Sequence, residues 1–205
     1  MTHTAKHKGT QKWDNYFSTK KDVWKERFAS LKTLCKEPKL KEFQFKFIHR
    51  IIVTKRELFR YGIQSDDDCV YCCEKDSIDH TFSDCPFVKK FSHEVISWFN
   101  VTNKTHFSPS MEEKLFGVPS EEFEKSVTKK FNYTLLFMKY YIYTNKLHTS
   151  SILLADFVNK GLIFPDKLNI HLSKTRVPNA RGSPWGTLMP SPRAAIKFAT
   201  APPPG

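Results

Sequence analysis

Four of the chain's five cysteines fall between residues 69 and 85, with His80 among them. A crowded set of odd total number does not read as a disulfide framework, whereas Cys and His at short spacings are the ligands of a closed tetrahedral zinc site. Cys69 and Cys72 flank the string CysValTyrCys, where one tight turn aims two thiolates at one ion, and His80 and Cys85 complete a Cys3His set. Positions five apart on an ideal helix point about 140° away from each other, so the backbone has to break between His80 and Cys85. AspCysPro at 84–86 supplies that break and leaves Cys85 at the mouth of the next helix. Four protein ligands leave no open position for water, which makes the expected zinc structural rather than catalytic. Its expected role is in folding, on the order of 10 kcal/mol in small zinc modules. Cys73 is the alternative to Cys72 as second ligand, His93 the alternative to His80, and Cys35 reads as a core thiol. Three thiolates and a neutral imidazole around a dication leave one net negative charge, for which Lys75, Lys89 and Lys90 are the candidate counter-charges.

The rest of the chain has helical periodicity and no alternation long enough to demand a sheet. Apolar spacing predicts a helix over 22–35, broken by Pro38. It predicts a central helix over 40–53, with Leu40, Phe43, Phe45, Phe47, Ile48, Ile51 and Ile52 on an arc of roughly 200°. Thr54 and Glu57 form a capping box for a short helix 54–61 with Leu58 and Phe59 inward, and Gly62 suits the left-handed position that closes it. Pro86 opens a helix to about residue 100, and residues 101–125 read as a connector. A long helix follows over 126–146, although Tyr140 to Thr144 would also suit a strand, and a last helix over 150–160 ends at Gly161.

The expected fold is therefore mainly α. A small helical domain over 22–165 surrounds one zinc knuckle at 66–86. It lies between a basic flexible arm, 1–21, with one docking turn, and a Pro-rich basic disordered tail, 166–205. No run is long and apolar enough for a spanning helix, so the expectation is a soluble intracellular protein with no membrane partner. A formal charge of +12 attracts polyanions and argues for RNA or DNA as partner.

The strings PheGlnPheLysPheIleHisArgIleIleValThr, LeuPheArgTyrGlyIle, AspAspAspCysValTyrCys and AspHisThrPheSerAspCysPro stand in that order between residues 43 and 86. Together they resemble the zinc-binding segment that follows the polymerase domain in non-LTR, LINE-type retrotransposon reverse transcriptases. The resemblance covers about residues 22–160 and includes LysTyrTyrIleTyr at 139–143. It implies a helical zinc-binding module near template RNA or target DNA.

No aromatic-x-Asp-Asp palm hairpin is present, and Asp66 to Asp68 read as a solvated turn. No Walker loop, HExxH or GxSxG occurs either, so the expectation is a fragment or remnant without polymerase or nuclease activity and with no catalytic residues. Lys39, Lys46 and Arg50 fall within about 40° of one another opposite the apolar arc of the central helix. Lys55, Arg56 and Arg60 extend positive charge toward the knuckle, and Tyr71 is placed to stack on a base. These seven residues are the candidate nucleic-acid contacts, and Lys174, Arg176, Arg181, Arg193 and Lys197 of the tail add further cations. The competing reading is a zinc-stabilised structural domain whose exposed aromatics dock a protein partner.

Overall fold

A computed structural model of the protein describes residues 8–17, 23–119 and 124–162. The expected tail, 166–205, lies outside the described residues. All described residues belong to one unit, and the described secondary structure is helical apart from a single isolated bridge between Asp68 and Lys75.

Eight α-helices follow one another among the described residues: α1 Lys8–Phe17, α2 Val23–Leu34, α3 Pro38–Ile48, α4 Lys55–Arg60, α5 Pro86–Asn103, α6 Met111–Phe116, α7 Lys125–Leu147 and α8 Leu154–Leu162. A π-helical turn, His80–Asp84, precedes α5. The organising element is α7, which contacts α2, α3, α5, α6, α8 and the π turn. Phe131, Leu135, Met138, Tyr141 and Ile142 are buried at helical intervals along it, and so are Tyr133, Leu136 and Phe137 on the other faces. A helix apolar around most of its girth has to be covered on most of its girth, which fixes α7 at the centre. Burial on all sides also decides the strand-or-helix ambiguity at Tyr140 to Thr144 in favour of helix.

Three expectations are corrected. Residues 8–17 of the supposed N-terminal arm form α1, whose Trp13 is completely buried, tilted on Phe47 at 5.1 Å and donating its indole N–H to the Ile48 carbonyl at 3.1 Å. Gly9 makes this docking feasible, since a Cβ there would lie 2.2 Å from the His49 carbonyl oxygen. Second, the connector 101–125 contains α6, opened by a Ser110/Glu113 capping box, and buries Phe107, Leu115 and Val118. Third, the central helix stops at Ile48 instead of continuing to residue 53, leaving Phe45 and Ile51 about half exposed while Leu40, Phe43, Phe47, Ile48 and Ile52 are buried.

The stop has a local cause. Ile51 N–H donates to the Lys46 carbonyl and Arg50 N–H to the Phe47 carbonyl, both at 2.9 Å, with Arg50 left-handed at φ 53°. This is the Schellman termination, in which the left-handed residue is usually glycine. The same pair of bonds closes α4, from Ile63 to Leu58 and from Gly62 to Phe59, and there the left-handed residue is Gly62, as expected. The Thr54/Glu57 capping box is present as well, but Phe59 points outward. At the last helix, Gly161 lies inside α8 rather than ending it.

Candidate metal centre

Each half of the cluster is built by a short, tightly bonded piece of backbone. In the first half, the Asp68–Lys75 bridge pairs the two arms of a turn, Cys69 N–H donates to the Glu74 carbonyl at 2.6 Å, and Cys73 N–H donates to the Cys69 carbonyl at 3.0 Å. Cys73 is left-handed at φ 63° and exposed, while Cys69 is buried and Cys72 half-buried. The turn thus directs Cys69 and Cys72 inward together and leaves Cys73 outside.

In the second half, the break expected between His80 and Cys85 takes a specific form. Cys85 N–H donates to the His80 carbonyl at 3.0 Å, a bond across five residues. Such a π turn is one residue wider than an α turn, so residues five apart come to lie nearly above one another instead of far around the helix. Cys85 then leaves helical geometry at ψ 122° and Pro86 starts α5, which matches the expectation for AspCysPro. At the other end of the turn, the Ser77 hydroxyl accepts from His80 N–H at 3.1 Å.

The two halves meet. Ligand atoms of Cys69, Cys72, His80 and Cys85 all lie within 4.8 Å of one another. Cys69 and Cys85 sulfurs are 4.0 Å apart, those of Cys72 and Cys85 3.8 Å, and Cys72 Sγ is 3.2 Å from His80 Nε2. A tetrahedral ion with metal–sulfur bonds of about 2.3 Å requires sulfurs about 3.8 Å apart, so this donor set is compatible with zinc. Such an ion would be held by four protein atoms and would act as a cross-link between the knuckle and the start of α5. Of the alternatives open in the sequence, Cys73 and His93 are both exposed and outside the cluster.

Electrostatics at the cluster favour an anionic Cys69 and protonated Cys72 and Cys85. The hydrogen bond from Cys85 lowers the Cys69 thiol, aided by the Tyr71 N–H and the Lys146 ammonium. The same contact, with burial, raises Cys85, while the Val88 N–H at the start of α5 pulls it the other way. Burial raises Cys72 against the Glu74 N–H. A dication held by these sulfurs would displace the protons that Cys72 and Cys85 retain.

The counter-charge comes from an unexpected place. Lys75 pairs with Asp67 at 3.0 Å, and Lys89 and Lys90 are exposed. The buried cation is Lys146, near the end of α7, paired with Asp76 at 2.5 Å with both side chains more than nine-tenths buried. Burial acts to lower Lys146, but Asp76 and Cys69 outweigh it and hold the ammonium above its ordinary range. Asp76 also accepts from the Thr81 hydroxyl at 2.7 Å, which ties α7, the knuckle and the π turn into one polar unit. On the opposite side Arg50 grips Asp79 with two bonds of 2.7 Å and lies over the Trp13 ring at 4.2 Å. The residue before His80 is therefore fixed by the end of α3. Neither Lys146 nor Asp79 is legible in the sequence as part of the site, because nothing in their spacing marks them.

Of the basic stripe expected on the central helix, Lys39 and Lys46 stay on α3 and only Arg50 is removed from it. Arg50 lies beyond the helix end and is committed to Asp79, Lys46 pairs with Glu42 at 2.6 Å, and Lys39 is exposed. Lys55 pairs with Asp66 at 2.5 Å, and the half-buried Tyr71 donates its hydroxyl to the Ser150 carbonyl at 2.7 Å. Arg56 and Arg60 are exposed on α4.

No helix among the described residues is long and apolar enough to cross a membrane. No curated protein and no solved structure matches the chain. Residues 7–92, which include α1 to the first turns of α5 and all four clustered ligands, match the family model described as zinc-binding in reverse transcriptase, and the family resemblance of the sequence is borne out over that segment.

Proposed function

We propose that this chain is a zinc-closed module that holds nucleic acid, of the kind that accompanies the polymerase of non-LTR, LINE-type retrotransposons, and that it has no polymerase or nuclease activity of its own. The reading is carried by one observation: a four-donor Cys3His cluster of zinc dimensions inside the segment that matches the reverse-transcriptase zinc-binding family. A closed site of this type has no position for substrate, so zinc contributes folding energy and rigidity rather than chemistry.

The nucleic-acid part is supported by what stands beside the clasp. Helix α4 is anchored to the knuckle through Lys55, whose ammonium pairs with Asp66 and whose N–H reaches Asp76. Its outer face and the turn after it present Arg56, Phe59, Arg60, Tyr61 and Ile63 to solvent, with Tyr61 68% and Ile63 64% exposed. Guanidinium groups interleaved with exposed rings suit phosphates and base faces together. The test is electrophoretic mobility of labelled RNA and DNA with the zinc-loaded protein across a salt series. The reading expects binding that weakens steeply with salt, and Arg56→Ala with Arg60→Ala lowering the slope. The same exposed apolar residues favour the second reading, a protein-docking face, and flat mobility at low salt would select it.

A further inference from the structure

Two cavities flank Tyr143 and take no part in the metal cluster. The first, of about 220 Å³, is lined by Lys39, Phe43, Lys46, Ile51 and Tyr140, with Val53 and Tyr143 at its inner end. The second, of about 210 Å³, shares Val53 and Tyr143 and continues past Lys55, Gln64, Lys146 and Thr149. The Tyr143 hydroxyl donates to the Val53 carbonyl at 3.3 Å, and this bond forms the partition between the two.

The chambers differ in chemistry. Tyr140 and Tyr143, three apart on α7, stand against Phe43 at centroid distances of 5.5 and 5.6 Å, and Ile51 is 55% exposed beside them because α3 stops short. The first chamber is thus an aromatic and aliphatic slot with Lys39 and Lys46 at its rim. The second is mixed, with the Asp76–Lys146 pair and Thr81 among its walls beside Leu58, Val70 and Leu147, and the exposed Gln64 and Thr149 at its mouth. Lys46, Lys55 and Lys146 along the two are ion-paired with Glu42, Asp66 and Asp76, and Lys39 stands exposed at the rim beside Lys46.

An aromatic slot receives a base face, the amide and hydroxyl at the mouth of a mixed slot receive base edges and sugar hydroxyls, and lysines at the rim meet phosphate. A duplex keeps its base faces stacked inside and cannot offer them to such chambers, whereas an unpaired strand can. We propose that this groove takes two consecutive unpaired nucleotides of single-stranded RNA, one base against Tyr140 and Tyr143, the next nucleotide in the second chamber with its 2′-hydroxyl toward Gln64 or Thr149. This rests on the nucleic-acid reading above and specifies its ligand and its place.

Fluorescence anisotropy of the zinc-loaded full chain with a labelled single-stranded RNA, the same sequence as DNA, and the RNA annealed to its complement tests it. The expected order is single-stranded RNA tightest, with Tyr140→Leu weakening it by about 5- to 150-fold, the span of one missing base stack, and Tyr140→Phe binding as the unaltered chain does. Lys39→Gln with Lys46→Gln, both on the exposed face of α3, is expected to reduce the salt slope by about 0.7 for each phosphate no longer neutralised and does not depend on how Tyr140→Leu folds. RNA binding that is unchanged by Tyr140→Leu of normal zinc content, or by the lysine pair, overturns the groove while leaving the nucleic-acid reading intact. Duplex or DNA bound as tightly as single-stranded RNA overturns it as well. An unaltered chain that binds none of the three ends both readings.

Discussion

Replacing Lys146 by Met tests how the metal centre is tied to the rest of the fold. Lys146 and Asp76 are among the most buried charges in the described residues, with side-chain exposures of 5% and 8%. Removing one partner of such a pair leaves the other charged and buried, which costs about 3–5 kcal/mol. Here the remaining Asp76 keeps the Thr81 hydroxyl at 2.7 Å and a long approach from Lys55 N–H at 3.4 Å, so the lower end of the range, about 3 kcal/mol, is expected. A domain of ordinary stability, about 5–15 kcal/mol, survives that loss but shows it plainly. Urea unfolding at fixed free zinc, so that metal linkage is equal for all variants, measures it. Lys146→Met combined with Asp76→Asn should recover at least about 1.5 kcal/mol over the sum of the single losses, since no unpaired charge then remains. Single variants that cost under about 1 kcal/mol, or a double variant that is merely additive, would refute the claim that this pair clamps α7 to the knuckle.

Lys139 is fully buried, donates to Gln44 Oε1 at 2.7 Å and to the Leu115 carbonyl, and has no carboxylate partner among the described residues, so burial, with the Arg27 charge, depresses its ammonium well below the ordinary range. A lysine with a lowered folded-state pKa binds fewer protons folded than unfolded, so its penalty is largest at low pH and fades as pH rises toward the unfolded value of about 10.4. Lys139→Met with Gln44→Leu should therefore remove that rise, read from thermal unfolding over about pH 8 to 10; an unchanged pH slope refutes it. Gly9→Ala should cost about 1–3 kcal/mol, because its Cβ meets backbone rather than a yielding side chain, and should leave Trp13 fluorescence red-shifted. Arg50→Lys keeps the charge but loses the two-bond grip on Asp79, for an expected loss of about 1–2 kcal/mol in thermal unfolding.

The ligands are legible in the sequence because metal geometry imposes spacing on residues close in the chain, and so are α5, the length of α7 and the Thr54/Glu57 cap, which follow from local rules. What the sequence hides depends on distant residues. Periodicity carries the central helix through Ile51 and Ile52, but the helix ends where Arg50 can turn left-handed and reach Asp79, a residue 29 positions away. Lys146 looks like an ordinary cation in the last turn of a helix, and only the packing of α7 against the π turn gives it Asp76. Helix α1 is polar overall and reads as an arm. The signal it does carry is Gly9 four residues before Trp13, a small residue and a large one on the same face. The Ser110-x-x-Glu113 box of α6 is a local signal too, masked by the prolines and glycines around it. The π turn does not follow from a five-residue spacing, which demands only that the α-helix fail there.

The central claim is that Cys69, Cys72, His80 and Cys85 together hold one zinc ion that closes the fold. Cobalt titration of the metal-free protein, followed by displacement with zinc, tests it most directly, because three thiolates and one imidazole in a tetrahedral field give an intense visible spectrum that reports both geometry and stoichiometry. The account predicts saturation at one ion per chain, loss of the spectrum in Cys72→Ser and its retention in Cys73→Ser, with the metal-free protein unfolding at markedly lower temperature. A chain that takes up no cobalt, or one whose spectrum survives Cys72→Ser and disappears with Cys73→Ser, would contradict it.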